Sequence, residues 1–204
     1  MIKLLSMILM CLCLSVPVYS DDGNAILKKV DRNLNPDSFE MYRKLINIEP
    51  DGSKKEFIMF TVKKGRDQVA SVFLSPASEK GRATLRLGEN MWLYIPNVGK
   101  PIRITSLQSV TGGIFNNADI MRLDYSLIPN KIECFASSGM LIKTLYFKRV
   151  QDFGGGIVRP AVIETDSPLH KGYRSIMIFA KMKKKELPDE VFTLNFLSKV
   201  ESLR

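Results

Sequence analysis

From Ser38 onward the chain is cut at short intervals by turn signals, and that punctuation leaves little room for anything but a meandering antiparallel sheet. Pro50-Asp51-Gly52-Ser53, Lys64-Gly65-Arg66-Asp67, Pro76-Ala77-Ser78-Glu79, Gly88-Glu89-Asn90, Ser137-Ser138-Gly139 and Gly154-Gly155-Gly156 separate short runs rich in Phe, Ile, Val, Met and Tyr. Gly, Pro, Asn and Asp supply the backbone conformations that tight turns need, and β-branched and aromatic runs between them read as strands. The strands predicted are 39–49, 54–63, 67–74, 82–87, 91–95, 102–105, 131–136, 141–152, 157–165 and 173–182.

Several of these strands are apolar on both faces. Phe57, Met59 and Thr61 oppose Ile58, Phe60 and Val62, and Val72 opposes Ser71 and Phe73. A sheet with one solvated face alternates more cleanly than this. Both faces must therefore be covered, one of them enclosing something or roofed by helices, as in a curved sheet or incomplete barrel with a lipophilic interior. Two helical patches are available. Ile26, Leu27, Val30 and Leu34 recur at helical spacing after Asn24 and before Pro36, and Ile120, Met121 and Leu123 follow the capping pair Asn116-Asn117. The tail, with Leu194, Phe196 and Leu197, is expected to be a final edge or closing segment. The fold class expected is mainly β with a few helices (α+β): a curved antiparallel sheet forming an incomplete barrel lidded by helices.

The first twenty residues read as a secretory signal peptide: Lys3, an apolar run from Leu4 to Val16, and the small-residue exit Val18-Tyr19-Ser20. The run falls short of the ~20 residues that span a bilayer. Cleavage near Ser20 leaves residues 21–204 as a single domain, expected in the periplasm. Cys11 follows Met10 and Cys13 follows Leu12, which disfavours a lipid-attachment site, and Cys134 alone of the three cysteines remains after cleavage. The formal charge of +9 is spread in short clusters, such as Lys28-Lys29, Lys54-Lys55 and Lys63-Lys64-Arg66. For an exported chain, anionic lipid headgroups are the expected counterpart of such charge and nucleic acid is not; solvated turns are the plainer alternative.

The inventory of reactive groups argues against catalysis. His170 lies in the turn Ser167-Pro168-Leu169-His170-Lys171-Gly172, Cys134 lies in a strand, and no local nucleophile signature surrounds either. One histidine and one mature cysteine cannot build the usual zinc sites, so neither metal nor cofactor is expected. Gly154-Gly155-Gly156 lacks a following Lys-Ser/Thr and sits between strands, which makes it a hairpin turn rather than a phosphate loop. What the chain does carry is a large stock of soft and aromatic side chains: ten Met, eleven Phe, six Tyr and one Trp. An ordinary core uses the same types, but together they suit a cavity that accepts flexible acyl chains.

One segment carries a resemblance. The strand Asn90-Met91-Trp92-Leu93-Tyr94-Ile95-Pro96 leads through Pro101-Ile102-Arg103-Ile104 into Gly112-Gly113-Ile114-Phe115-Asn116-Asn117-Ala118-Asp119. With Ile128-Pro129-Asn130-Lys131-Ile132-Glu133 and Leu187-Pro188-Asp189-Glu190-Val191-Phe192-Thr193, it resembles the LolA/LolB-like outer-membrane lipoprotein-sorting family, closest to an uncharacterised branch often encoded beside ABC-type membrane transporters. The resemblance implies a half-open barrel that shelters the acyl chains of a lipoprotein or phospholipid crossing the periplasm, and it implies no catalytic residues. On that reading Phe57, Met59, Phe73, Trp92 and Tyr94 are the candidate cavity residues. Gly112 and Gly113 are the candidate hinge of a lid carrying Phe115, Ile120 and Met121. The implied partners are acyl chains, an ABC-type inner-membrane transporter and, peripherally, an anionic membrane surface. A regulatory sensor of the same fold, detecting envelope lipid or lipoprotein, is the alternative. One departure stands out: between Tyr125 and Pro129 the family typically has some tens of further residues.

Overall fold

The turn signals and apolar runs resolve, in a computed structural model that describes residues 38–121 and 129–204, into ten strands that follow the expected spans to within two residues at either end. They are β1 (Ser38–Ile48), β2 (Lys54–Lys64), β3 (Gln68–Ser75), β4 (Ala83–Leu87), β5 (Asn90–Tyr94), β6 (Ile102–Ile104), β7 (Lys131–Phe135), β8 (Leu141–Asp152), β9 (Val158–Asp166) and β10 (Arg174–Lys184). The predicted helix over 24–34 and the shortened stretch after Tyr125 lie outside the described residues.

All neighbours are antiparallel in one open sheet of order β6-β5-β4-β3-β2-β1-β10-β9-β8-β7. The chain thus makes two meanders, β1 to β6 and β7 to β10, joined where β1 pairs with β10 from Phe39↔Lys184 to Ile48↔Arg174. This arrangement sends the turns β1–β2, β3–β4, β5–β6, β7–β8 and β9–β10 to one rim of the sheet and the turns β2–β3, β4–β5 and β8–β9 to the opposite rim.

Alternation along each strand gives the sheet two cores, as the two-sided apolarity requires. One face buries Phe39, Met41, Leu45, Phe57, Met59, Phe73, Leu145, Ile163, Met177 and Phe179. The other buries Phe60, Val62, Ala70, Val72, Ala83 and Leu85. The second face is covered by the chain's end. Residues Asp189–Phe192 and Leu194–Leu203 form 3₁₀ turns that seat Val191, Phe192, Leu197 and Val200 against it. The tail is therefore the closing segment of the two expected forms, not an edge strand: its apolar residues recur about every third position, which suits a 3₁₀ turn laid on a surface and not the period of two that a strand needs.

The first face is the concave one. A short helix, α1 (Asn117–Met121), touches both wings of the sheet: Thr84 Oγ1 on β4 lies 3.3 Å from Met121 Sδ, and Lys143 on β8 forms an ion pair with Asp119. β4 and β8 stand six places apart in the sheet order, about 29 Å if the sheet were flat with strands ~4.8 Å apart. A helix of five residues is only about 7.5 Å long. The sheet must wrap around it.

Candidate functional site

Residues 105–121 enter the concave face as a self-bonded unit. Asn116 and Asp119 form a reciprocal cap, with the Asp119 N–H donating to Asn116 Oδ1 at 2.9 Å and the Asn116 N–H to Asp119 Oδ2 at 2.8 Å. Asn117 N–H donates to Gln108 O and Ala118 N–H to Ser106 O, so the free donors of the helix start are met by the loop before it. Asn117 Nδ2 donates to Thr105 O at 2.8 Å, closing the unit on itself. Its apolar side carries Phe115, Ile120 and Met121, all buried in the concave core, with Val110 packed alongside.

Polar groups rising from the sheet tie this unit down. Asn47 Nδ2 on β1 donates to Thr111 O at 2.9 Å, and Ser175 Oγ on β10 donates to Asn47 Oδ1 at 2.8 Å while accepting from Ile114 N–H at 3.1 Å. Arg82 donates to Val110 O and Lys143 binds Asp119. Arg43 stands at the centre of the face, fully buried. Its Nη1 donates to Ile120 O at 2.7 Å and its Nη2 to Thr61 Oγ1 at 2.7 Å, with Ser71 Oγ at 3.4 Å. Burial pushes the Arg43 guanidinium down to about 9 and the charge of Arg159 adds to the effect, which still leaves it charged at neutral pH. Its Nε finds no acceptor among the described residues. A buried cation held mainly by neutral oxygens is costly, and such groups are met more often at working sites than in plain cores.

The predicted cavity residues divide between the two faces. Phe57, Met59 and Phe73 lie on the concave face, where the Phe57 and Phe73 rings meet edge to face at 5.9 Å. Trp92 and Tyr94 lie on the other face, partly buried against the core that the C-terminal turns cover. They do not share a wall with the other three, because on β5 they alternate with Met91, which joins the concave core. Phe115, Ile120 and Met121 are buried against the concave face. Gly112 adopts φ +71°, but Gly113 is pressed against β1 so closely that an added methyl would overlap the Asn47 carboxamide. The pair is a close-packed contact as well as a turn.

Sequence reading missed Arg43, Asn47, Thr84, Lys143 and Ser175. Nothing in the sequence separates Arg43 from Lys44, yet Lys44 points outward and pairs with Glu56 at 2.7 Å. Strand alternation relative to Leu45 was the available signal, since it puts 43, 45 and 47 on one face. As for chemistry, Cys134 packs against the concave core, and burial raises its thiol pKa, the reverse of an activated nucleophile. His170 lies in the exposed β9–β10 turn, its ring 6.3 Å from that of Tyr173. Among the described residues no group of three or more His, Cys, Asp or Glu could hold a metal ion.

The comparisons bear on this architecture directly. A family model described only as an uncharacterised protein matches residues 65–127 and 123–199, most of the chain. The chain belongs to that family. Its fold is LolA-like: a LolA superfamily protein of Nitrosomonas europaea superposes with a TM-score of 0.74 at 26% identity, covering 85% of this chain and 98% of the other. A Vibrio parahaemolyticus domain described as an outer membrane lipoprotein-sorting protein superposes with a TM-score of 0.74 at 15% identity, covering 85% and 97%. A DUF1329 family protein of Desulfovibrio piger does so with a TM-score of 0.71 at 18% identity, covering 86% and 97%. No curated protein matches the sequence. The two stretches matched by the family model overlap at 123–127.

Proposed function

We propose that the protein is a periplasmic carrier that takes the acyl chains of a lipoprotein or phospholipid onto its concave face and passes them between membrane components. The observation that carries this reading is the covering unit 105–121, which buries Phe115, Ile120 and Met121 on an apolar concave surface yet is fixed there by a handful of polar ties. A permanent core would not need Arg43 beneath its plug. A site that opens does, because the ties give the closed state a defined geometry while the apolar surface waits for cargo.

The magnitudes fit reversible exchange. Lifting the unit forfeits about five polar ties at roughly 1 kcal/mol each. It also exposes three apolar side chains at roughly 2 kcal/mol each. An acyl chain of about fourteen methylenes returns ~11 kcal/mol on burial, so the open, loaded and closed, empty states lie close together. Neither dominates, and a partner that favours one can drive transfer. An ABC-type inner-membrane transporter is the proposed partner, and the N-terminal leader supports export to the periplasm. No step in this cycle needs a catalytic group.

The test is lipid extraction and mass spectrometry of protein purified from its native envelope. A co-purifying phospholipid or acylated peptide, displaced by a fluorescent fatty acid, is the expected result. Absence of any lipid together with no competition by the fatty acid would refute the carrier.

A further inference from the structure

Among the described residues, exposed large apolar side chains gather at one rim of the sheet. Phe135 closes β7, Met140 sits in the β7–β8 turn, Ile142 is the second residue of β8, Leu169 and Tyr173 lie in the β9–β10 turn, and Val98 lies in the β5–β6 turn. Phe135, Met140 and Leu169 are each half exposed or more, at 56%, 52% and 50%. Ile102, which opens β6, is exposed at the same rim, and the exposed apolar side chains elsewhere, Ile58, Leu107, Val150 and Leu194, are scattered singly. Antiparallel order puts all the turns named at the same end, and the curvature of the sheet draws the β5–β6 and β7–β8 turns, from its two edges, onto one arc. Loose apolar tips on several adjacent turns are not what a solvated rim requires.

The same rim carries Lys54, Lys80, Lys100 and Lys171, all exposed, and none of them forms an ion pair among the described residues. Basic residues also stand at the opposite rim, as Lys183 and Lys184 do, but without apolar tips beside them in the turns. Apolar tips among unpaired lysines are the chemistry of an anionic bilayer surface: the tips enter the acyl boundary and the ammonium groups lie at phosphate level. A protein partner would more often meet a broad apolar centre with few lysines. The rim also holds the open notch, about 250 Å³, where Gly112, Gly113 and Ile114 of the covering unit face His170 and Tyr173.

We propose that this rim is a bilayer-docking edge that sets Phe135, Met140, Ile142 and Leu169 into a membrane bearing anionic headgroups and turns the notch beside Gly113 toward the lipid. The proposal rests on the carrier reading for its purpose and on the rim alone for its geometry.

Vesicle sedimentation of the protein as its host produces it tests this. Phosphatidylglycerol-containing vesicles should bind it and pure phosphatidylcholine vesicles should bind it at least tenfold more weakly. Each lysine near such a surface is worth about fivefold (about 1 kcal/mol), so Lys54→Glu, Lys80→Glu and Lys171→Glu together should reduce binding by ~100-fold or more. Phe135→Ser, Met140→Ser and Leu169→Ser together should reduce it at least tenfold, while Lys183→Glu with Lys184→Glu should change it less than twofold. Equal binding by the wild type and both rim variants overturns the docking edge, and equal binding to both lipids overturns the headgroup assignment. A fluorescent fatty acid titration without vesicles keeps the two readings apart. Rim variants that lose vesicles but retain the fatty acid uphold docking, and a wild type that binds vesicles through the rim but no fatty acid upholds docking while removing the carrier.

Discussion

Gly113 and Asn47 show how finely the cover is fitted. Asn47 accepts from Ser175 and donates to Thr111 O, and the space it occupies is the space a side chain at Gly113 would need. Gly113→Ala is expected to destabilise the protein by roughly 1–3 kcal/mol through overpacking, read as a lower urea midpoint. In an Asn47→Ala background the same substitution should cost much less, because the clash has been removed; equal costs in both backgrounds would place the effect elsewhere. Cys134 offers a second check at this scale. Burial raises its pKa, so at neutral pH it should react with iodoacetamide many times more slowly than glutathione does. The apolar residues here were readable from alternation, which sets Phe57, Met59 and Phe73 on the face the structure makes concave and Trp92 and Tyr94 on the other. The polar ones were not, since a strand arginine that points inward looks the same in sequence as one that points to water until its neighbours across the sheet are known.

Two elements press on the sheet from opposite sides, and they should answer to different perturbations. The C-terminal turns cover the face that holds Trp92, so Leu197→Ala should cost about 2–5 kcal/mol and shift Trp92 emission to the red. Saturating acyl chain should leave that emission nearly unchanged, because Trp92 lies on the far side of the sheet from the concave face. The covering unit should behave in the reverse way. With Cys134→Ala to remove the native thiol, an oxidised pair from Thr84→Cys and Met121→Cys would pin α1 to β4, at the place where their side chains now meet at 3.3 Å. Fatty acid binding should vanish on oxidation and return on reduction; binding that is indifferent to the cross-link would mean the unit does not move aside for cargo. Element positions were largely visible in the sequence because turns and runs alternate so regularly. The 3₁₀ form of the tail was not, because Leu197, Val200 and Leu203 make a pattern that only a surface to lie on turns into structure.

At the scale of the whole molecule, curvature is what converts ten ordinary strands into a candidate container. Two meanders joined at β1–β10 give an open sheet whose wings both reach α1, and this folds one apolar face inward while the C-terminal turns seal the other. Sequence supplied the two-sided apolarity that demands two covers, but not which face was concave: that depends on Thr84 and Lys143, on strands about 29 Å apart in a flat sheet by the ~4.8 Å spacing, meeting the same short helix. Part of the +9 formal charge acquires a place in this picture, since Lys54, Lys80, Lys100 and Lys171 share a rim with the exposed apolar tips.

The central claim is that acyl chains occupy the concave face under residues 105–121. A fatty acid bearing a diazirine near its terminal methyl, photolysed with the protein and mapped by peptide mass spectrometry, reads this directly. The account predicts adducts on peptides containing Met59, Phe115, Met121 and Met177, with competition by unlabelled fatty acid. Adducts confined to the peptides of Trp92, Phe196 and Leu197, or none that unlabelled fatty acid can displace, would contradict it.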